Sequence, residues 1–78
     1  MIFLIEYDRR GGRIVTFERF SDSARAEAEK IRLDLELLLS RQSLDHEVVL
    51  LQAASEEDLR RTHRRYFETP GELVERQE

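Results

Sequence analysis

Arg60, Arg61, Arg64 and Arg65 place four guanidinium groups on little more than one turn of a helix-like segment. Guanidinium is planar, permanently charged and matched to phosphate oxygens, so this cluster is the chain's nearest approach to a phosphate or nucleic-acid site. Arg9 and Arg10, followed by Arg13, would extend a basic surface if their turn lay beside that segment. The local charge balance opposes a strong field. Within residues 55–68 the four arginines face Glu56, Glu57, Asp58 and Glu68. Glu56 precedes Arg60 by four residues and Glu57 precedes Arg61 by four, the favourable order for helical ion pairs. A solvated, salt-bridged face is therefore the first expectation, and phosphate binding the second. Tyr66 and Phe67 next to arginines fit base stacking in principle. Their spacing with Leu59 and His63 assigns them to a core-facing stripe instead. No RNP, KH or helix-turn-helix pattern is present.

The other reactive side chains give less. There is no cysteine, which removes disulfides and thiolate metal sites. His63 falls within an apolar stripe, which suits a packed, hydrogen-bonded histidine. His46 stands between Asp45 and Glu47 and is expected to pair with one of them at the surface. Neither histidine has further ligands at metal spacing. The serines sit where helix caps or loops are expected. Gly11-Gly12 lies in a hairpin rather than at a strand-to-helix turn, so it is not a phosphate loop. No cofactor or small-molecule substrate is implied, and an enzyme ranks below a binding protein.

Bulk properties set the frame for these residues. A chain of 78 residues is one domain. It is 38% charged and 40% hydrophobic, with formal net charge -4, which fits a water-soluble chain that still builds a core. At this size a single core gives modest stability, and without disulfides or a metal the remaining support is self-association. Met1–Ile5 is too short for a signal h-region and no run reaches membrane-span length, so a cytoplasmic, bacterial-type protein is expected.

Ile2–Tyr7 is apolar, β-branched and aromatic and reads as a first strand. Asp8–Gly12 forms the turn, and Arg13–Phe20 a second strand. Facing Phe3 with Phe17 and Ile5 with Val15 requires a loop with an odd residue count. Ser21 or Ser23 caps a helix from about Asp22 to Arg41 or Gln42. Its inward stripe is Ala24, Ala28, Ile31, Leu35 and Leu38. A third strand runs from His46 or Glu47 to about Ala53. Ser55 then caps a second helix, with Asp58 at the capping-box position and Leu59, Thr62, His63, Tyr66 and Phe67 facing inward. Thr69-Pro70-Gly71 ends it. The domain therefore spans 1–69, followed by a charged tail over 70–78.

The order β-β-α-β-α with a right-handed crossover sets strands two and three parallel in direction. Apolar residues on both faces of strand one place it centrally. The expected fold is α+β: a two-layer sandwich with a mixed three-stranded sheet in order 2-1-3. Both helices lie on one face, as in half of a ferredoxin-like fold.

Two surfaces are left for a partner. Ala26, Leu33 and Leu37 make a second apolar stripe opposite the inward face of helix one. The sheet face without helices would offer Ile2, Leu4 and Ile14, and strand three would have an open edge. The functional expectation is a self-associating protein-interaction module, a homodimer built through the sheet face or strand-three edge in preference to helix one. Nucleic-acid binding through Arg60, Arg61, Arg64, Arg65 and the hairpin arginines is the alternative.

Overall fold

The computed structural model describes residues 1–68. The charged tail expected over 70–78 lies outside the described residues, and helix two, expected to run to Thr69-Pro70-Gly71, already ends at Thr62. Strands β1 (Ile2–Asp8), β2 (Arg13–Phe20) and β3 (His46–Gln52) form one sheet in the order β2-β1-β3. A single 3-10 turn, Asp22–Ala24, leads into helix α1 (Arg25–Arg41), and helix α2 (Glu56–Thr62) is followed by a second 3-10 turn, Arg64–Tyr66. The class, element order and strand order are those expected. The sheet is antiparallel throughout rather than mixed. β2 and β3 do run in the same direction, but β1 separates them, so no parallel ladder forms.

The layering also differs from the sequence expectation. Phe3, Ile5 and Tyr7 pack with Leu59 of α2 and with Tyr66, supported by Ile14, Phe17, Val49, Leu51 and Phe67. No residue of α1 enters that cluster. Ile2, Leu4 and Glu6, on the opposite face of β1, are equally buried. Arg25 of α1 donates to Gln52 Oε1 at 2.8 Å, and Gln52 is the register partner of Ile2. Helix α1 therefore covers the face of Ile2 and Leu4, and α2 covers the face of Phe3 and Ile5, giving three layers. Dimensions explain why the helices do not share a face. Three strands at about 4.8 Å spacing span only about 10 Å, and one helix with its side chains is about 10–12 Å wide.

The hairpin reaches the expected parity by a different route. Asp8 pairs with Arg13, so the loop holds Arg9 to Gly12, an even count. A bulge at Val15 shifts the register between Glu6 and Tyr7, so that Ile5 faces Phe17 on one side of it and Tyr7 faces Ile14 on the other. Phe17 thus joins the core as expected, but opposite Ile5 rather than Phe3. Val15 is the extra residue, and it is 51% exposed. One added residue on one strand turns the following side chains over, which brings Ile14 inward in its place. The loop is closed by Gly12 N–H donating to Asp8 C=O at 2.8 Å, with Gly12 at φ 66°, a conformation open to glycine at little cost. Asp8 Oδ1 accepts from the backbone N–H of Arg10 and Gly11, both at 3.0 Å.

In α1 the buried residues are Ala28 and Leu39. Leu38, expected inward, is 49% exposed. The line Ala28–Leu35–Leu39 follows helical spacing, and Leu38 lies about 100° away from Leu39. Neither Ser21 nor Ser23 caps the first helix by a side-chain bond. Their hydroxyls bond to each other at 2.9 Å. Ser55 does cap α2, accepting from Asp58 N–H at 3.1 Å. That helix stops at Thr62, and the 3-10 turn after His63 swings Tyr66 into the core.

Candidate functional site

The residues singled out as partner-binding separate cleanly. Leu33 and Leu37 are each 52% exposed, and Ala26 is exposed beside them. They lie on the side of α1 turned away from the sheet, with Leu38 at its border and Leu44, 46% exposed, just past its end. Ile2 and Leu4 are buried under α1, and Ile14 packs against the α2-side core. These three are corrected to core residues, because neither sheet face is left uncovered.

The arginine cluster is ion-paired throughout. Arg60 Nε meets Glu56 Oε2 at 3.0 Å and Arg61 Nη2 meets Asp58 Oδ1 at 2.9 Å. Arg61 thus takes the residue three before it rather than Glu57. Arg64 Nε donates to Glu68 Oε1 at 3.1 Å. Arg65 leaves the helix pattern and reaches Glu47 of β3 at 2.8 Å. Arg9 binds Asp45 at 2.9 Å, and Arg10 has no ion pair among the described residues. The guanidiniums also lie over rings: Arg60 over Phe67 at 4.6 Å and Arg65 over Tyr66 at 4.1 Å. Each of the four therefore already has a carboxylate partner, so the cluster's formal charge is locally balanced.

Two polar clusters at the hairpin end of the sheet are new. On the α2 side, Tyr66 Oη donates to Glu47 Oε2 at 2.5 Å, and Arg65 Nη2 donates to both at 2.6 and 2.8 Å. Tyr7 meets Tyr66 edge-on at 5.3 Å between ring centres. Burial and the hydrogen bond to Glu47 push the Tyr66 phenol up to about 12. Burial acts to raise the Glu47 carboxyl, but the hydrogen bonds from Tyr66 and Arg65 outweigh it and hold the group below its ordinary value. The sequence signal for this cluster was weak. A buried tyrosine hydroxyl needs a partner, but only the strand register shows that Glu47, opposite Tyr7, is that partner.

On the α1 side, buried Glu6 accepts from Thr16 Oγ1 at 2.8 Å and pairs with His46 Nδ1 at 2.6 Å. His46 was expected to pair with Asp45 or Glu47. Adjacent strand residues point to opposite faces, so its partner is instead the diagonal neighbour on β1. Its Nε2 lies 3.9 Å from Asp8 Oδ1. The backbone N–H of Gly11, foremost, lowers the Asp8 pKa.

A histidine held by a buried carboxylate is the geometry of a general base. A cleft of ≈ 240 Å³ lies beside it, lined by Asp8, Arg10, Ser43, Leu44, Asp45 and His46. The free nitrogen faces a second carboxylate, and no hydroxyl among the described residues is hydrogen-bonded to it. The cluster links all three strands rather than forming a nucleophile–base pair. Among the described residues no group of three His, Cys, Asp or Glu is arranged to hold a metal ion, and no helix is long and apolar enough to cross a membrane. Comparison with known proteins found no family model, no curated protein and no solved structure that matches this chain.

Proposed function

We propose that this chain is a protein-interaction module that self-associates and also presents the outer face of α1 as an apolar contact surface. The observation that carries the reading is the half-exposed pair Leu33 and Leu37 on the side of the helix away from the sheet. A helix covering a sheet needs only one apolar face. This one has a second, made by Ala26, Leu33 and Leu37, with Leu38 and Leu44 also exposed near the end of the helix. Contiguous apolar surface on a small domain marks contact with another protein. Contact is preferred to phosphate binding because Arg60, Arg61, Arg64 and Arg65 each already hold a carboxylate.

Light scattering coupled to size exclusion tests the reading. The expected result is a particle of twice the 9.3 kDa chain mass. A monomer at high micromolar concentration overturns it. Leu33→Glu with Leu37→Glu is expected to keep the wild-type circular dichroism spectrum and unfolding midpoint. Collapse of the fold would show that these leucines hold the monomer together, and the contact surface would be lost as an idea.

A further inference from the structure

We infer that the open edge of β3 takes the β3 edge of a second copy, antiparallel and centred on Val49, joining two sheets into one of six strands. This rests on the self-association just proposed and assigns the self-contact to the strand edge.

The two edges of the sheet differ in how they are protected. β2 carries a bulge and the charges Arg13, Glu18 and Arg19, devices that discourage edge pairing. β3 pairs with β1 in unbroken register from His46 to Gln52 and has no proline, no bulge and no charge between Val48 and Leu51. Its outward groups can be identified. Ala53 N–H donates to Met1 C=O at 3.1 Å, so odd-numbered β3 residues face β1 and even-numbered ones face outward. Among the described residues, the N–H and C=O of Val48 and Leu50 are therefore the unpaired template. A two-fold axis at Val49 sets Val48 opposite Leu50 of the second copy and His46 opposite Gln52, with no like charges facing.

A second, independent feature fits the same axis. Arg25, Glu29, Arg32 and Glu36 form one flank of α1, linked as Arg25–Glu29 at 3.8 Å and Arg32–Glu36 at 2.8 Å. Arg25 reaches Gln52 on β3 from this flank, which turns it toward the open edge, as a right-handed crossover requires. The stripe reads Arg-Glu-Arg-Glu and is complementary to its own reverse. Against an antiparallel copy, Arg25 meets Glu36 and Glu29 meets Arg32, each pairing occurring twice. Each guanidinium has five donors and can keep its own partner while adding another.

The two centres coincide. Val49 lies about 10 Å along the strand from Gln52. The same distance along α1 from Arg25, at about 1.5 Å per residue, ends near residue 32. The centre of the charge stripe falls between Lys30 and Ile31, within about 3 Å of that level. Both helices then lie on one face of the joined sheet, and their Leu33–Leu37 stripes stay outward, side by side, as one enlarged apolar surface.

The experiment uses the full chain and reads solution mass. Val48→Pro removes an outward donor without touching the β1 ladder and is expected to yield a folded monomer. Glu29→Arg with Glu36→Arg, and separately Arg25→Glu with Arg32→Glu, make flanks of a single sign. Each double variant is expected to be monomeric alone, and an equimolar mixture to recover a dimer. Leu33→Glu with Leu37→Glu is expected to remain dimeric. If that last variant is monomeric while Val48→Pro and the charge variants stay dimeric, self-association stands but its place is α1, and the edge assignment is overturned. A monomeric wild type overturns both.

Discussion

At the scale of single residues, a polar triad at the rim of the apolar core ties β3 to the turn after α2. Tyr66 donates to Glu47 while Arg65 binds both. Hydrogen bonds to a charged group contribute more than neutral ones, so Tyr66→Phe is expected to lower stability by about 1–2 kcal/mol in urea unfolding near neutral pH. The pH dependence follows from the same triad. The folded Tyr66 phenol is raised from 10.0 to about 12. Its contribution is whole below pH 10 and is lost as pH rises through the folded value. Wild type should therefore lose stability between pH 10 and 12 more steeply than Tyr66→Phe. Equal slopes would remove the phenol from the account. At the acid end, the Glu47 and Asp8 carboxyls lie below their ordinary 4.5 and 3.8. Their contribution is present above those values and fades as pH falls through the lowered folded ones.

At the scale of elements, the end of α1 shows what local sequence conceals. Leu44 N–H donates to Leu39 C=O and Ser43 N–H to Ser40 C=O, both at 3.1 Å. This is the paired closure in which the residue past the cap is left-handed and usually glycine. Here it is Ser43, at φ 54°. A side chain in that region costs about 1–2 kcal/mol, so Ser43→Gly is expected to raise the unfolding free energy by about 1 kcal/mol despite the more flexible unfolded chain. Chemical denaturation measures it, and a neutral or destabilising result would mean that Ser43 makes a compensating contact. Most elements were legible in the sequence. Apolar runs on both faces of β1 marked the central strand, Ser55 marked the start of α2, and alternation marked β2. The bulge at Val15 was not legible, because Arg13–Phe20 alternates equally well in two registers and only packing selects one. Leu38 and Leu39 are likewise equivalent by composition, and only the packing of α1 on the sheet decides that Leu39 is the one buried. For the site, Leu33 and Leu37 were legible as an excess of apolar residues on one helix. The Glu6–His46 and Glu47–Tyr66 pairs were not, since both join residues far apart in sequence through the β1–β3 register.

At the scale of the whole molecule, a three-layer arrangement from so short a chain leaves little surface to spare. Both faces of β1 are buried, yet among the described residues β2 and β3 each have a neighbour on one side only. A sheet this narrow gains from added strands, and pairing at β3 would couple assembly to folding. Anything that binds only the folded chain stabilises it by mass action. Above the dissociation constant of a folded dimer, each tenfold rise in concentration adds about 1.4 kcal/mol per dimer, or about 0.7 kcal/mol per chain. For a domain of this size that corresponds to a rise in Tm of about 3–5 °C. The wild-type Tm is therefore expected to climb by that amount for each decade of protein concentration. Val48→Pro, with the edge blocked, is expected to melt at a temperature that does not change with concentration. Calorimetry over two decades checks both slopes. A flat wild-type slope would show that folding and assembly are uncoupled, and the open edge would then be a surface the monomer simply tolerates.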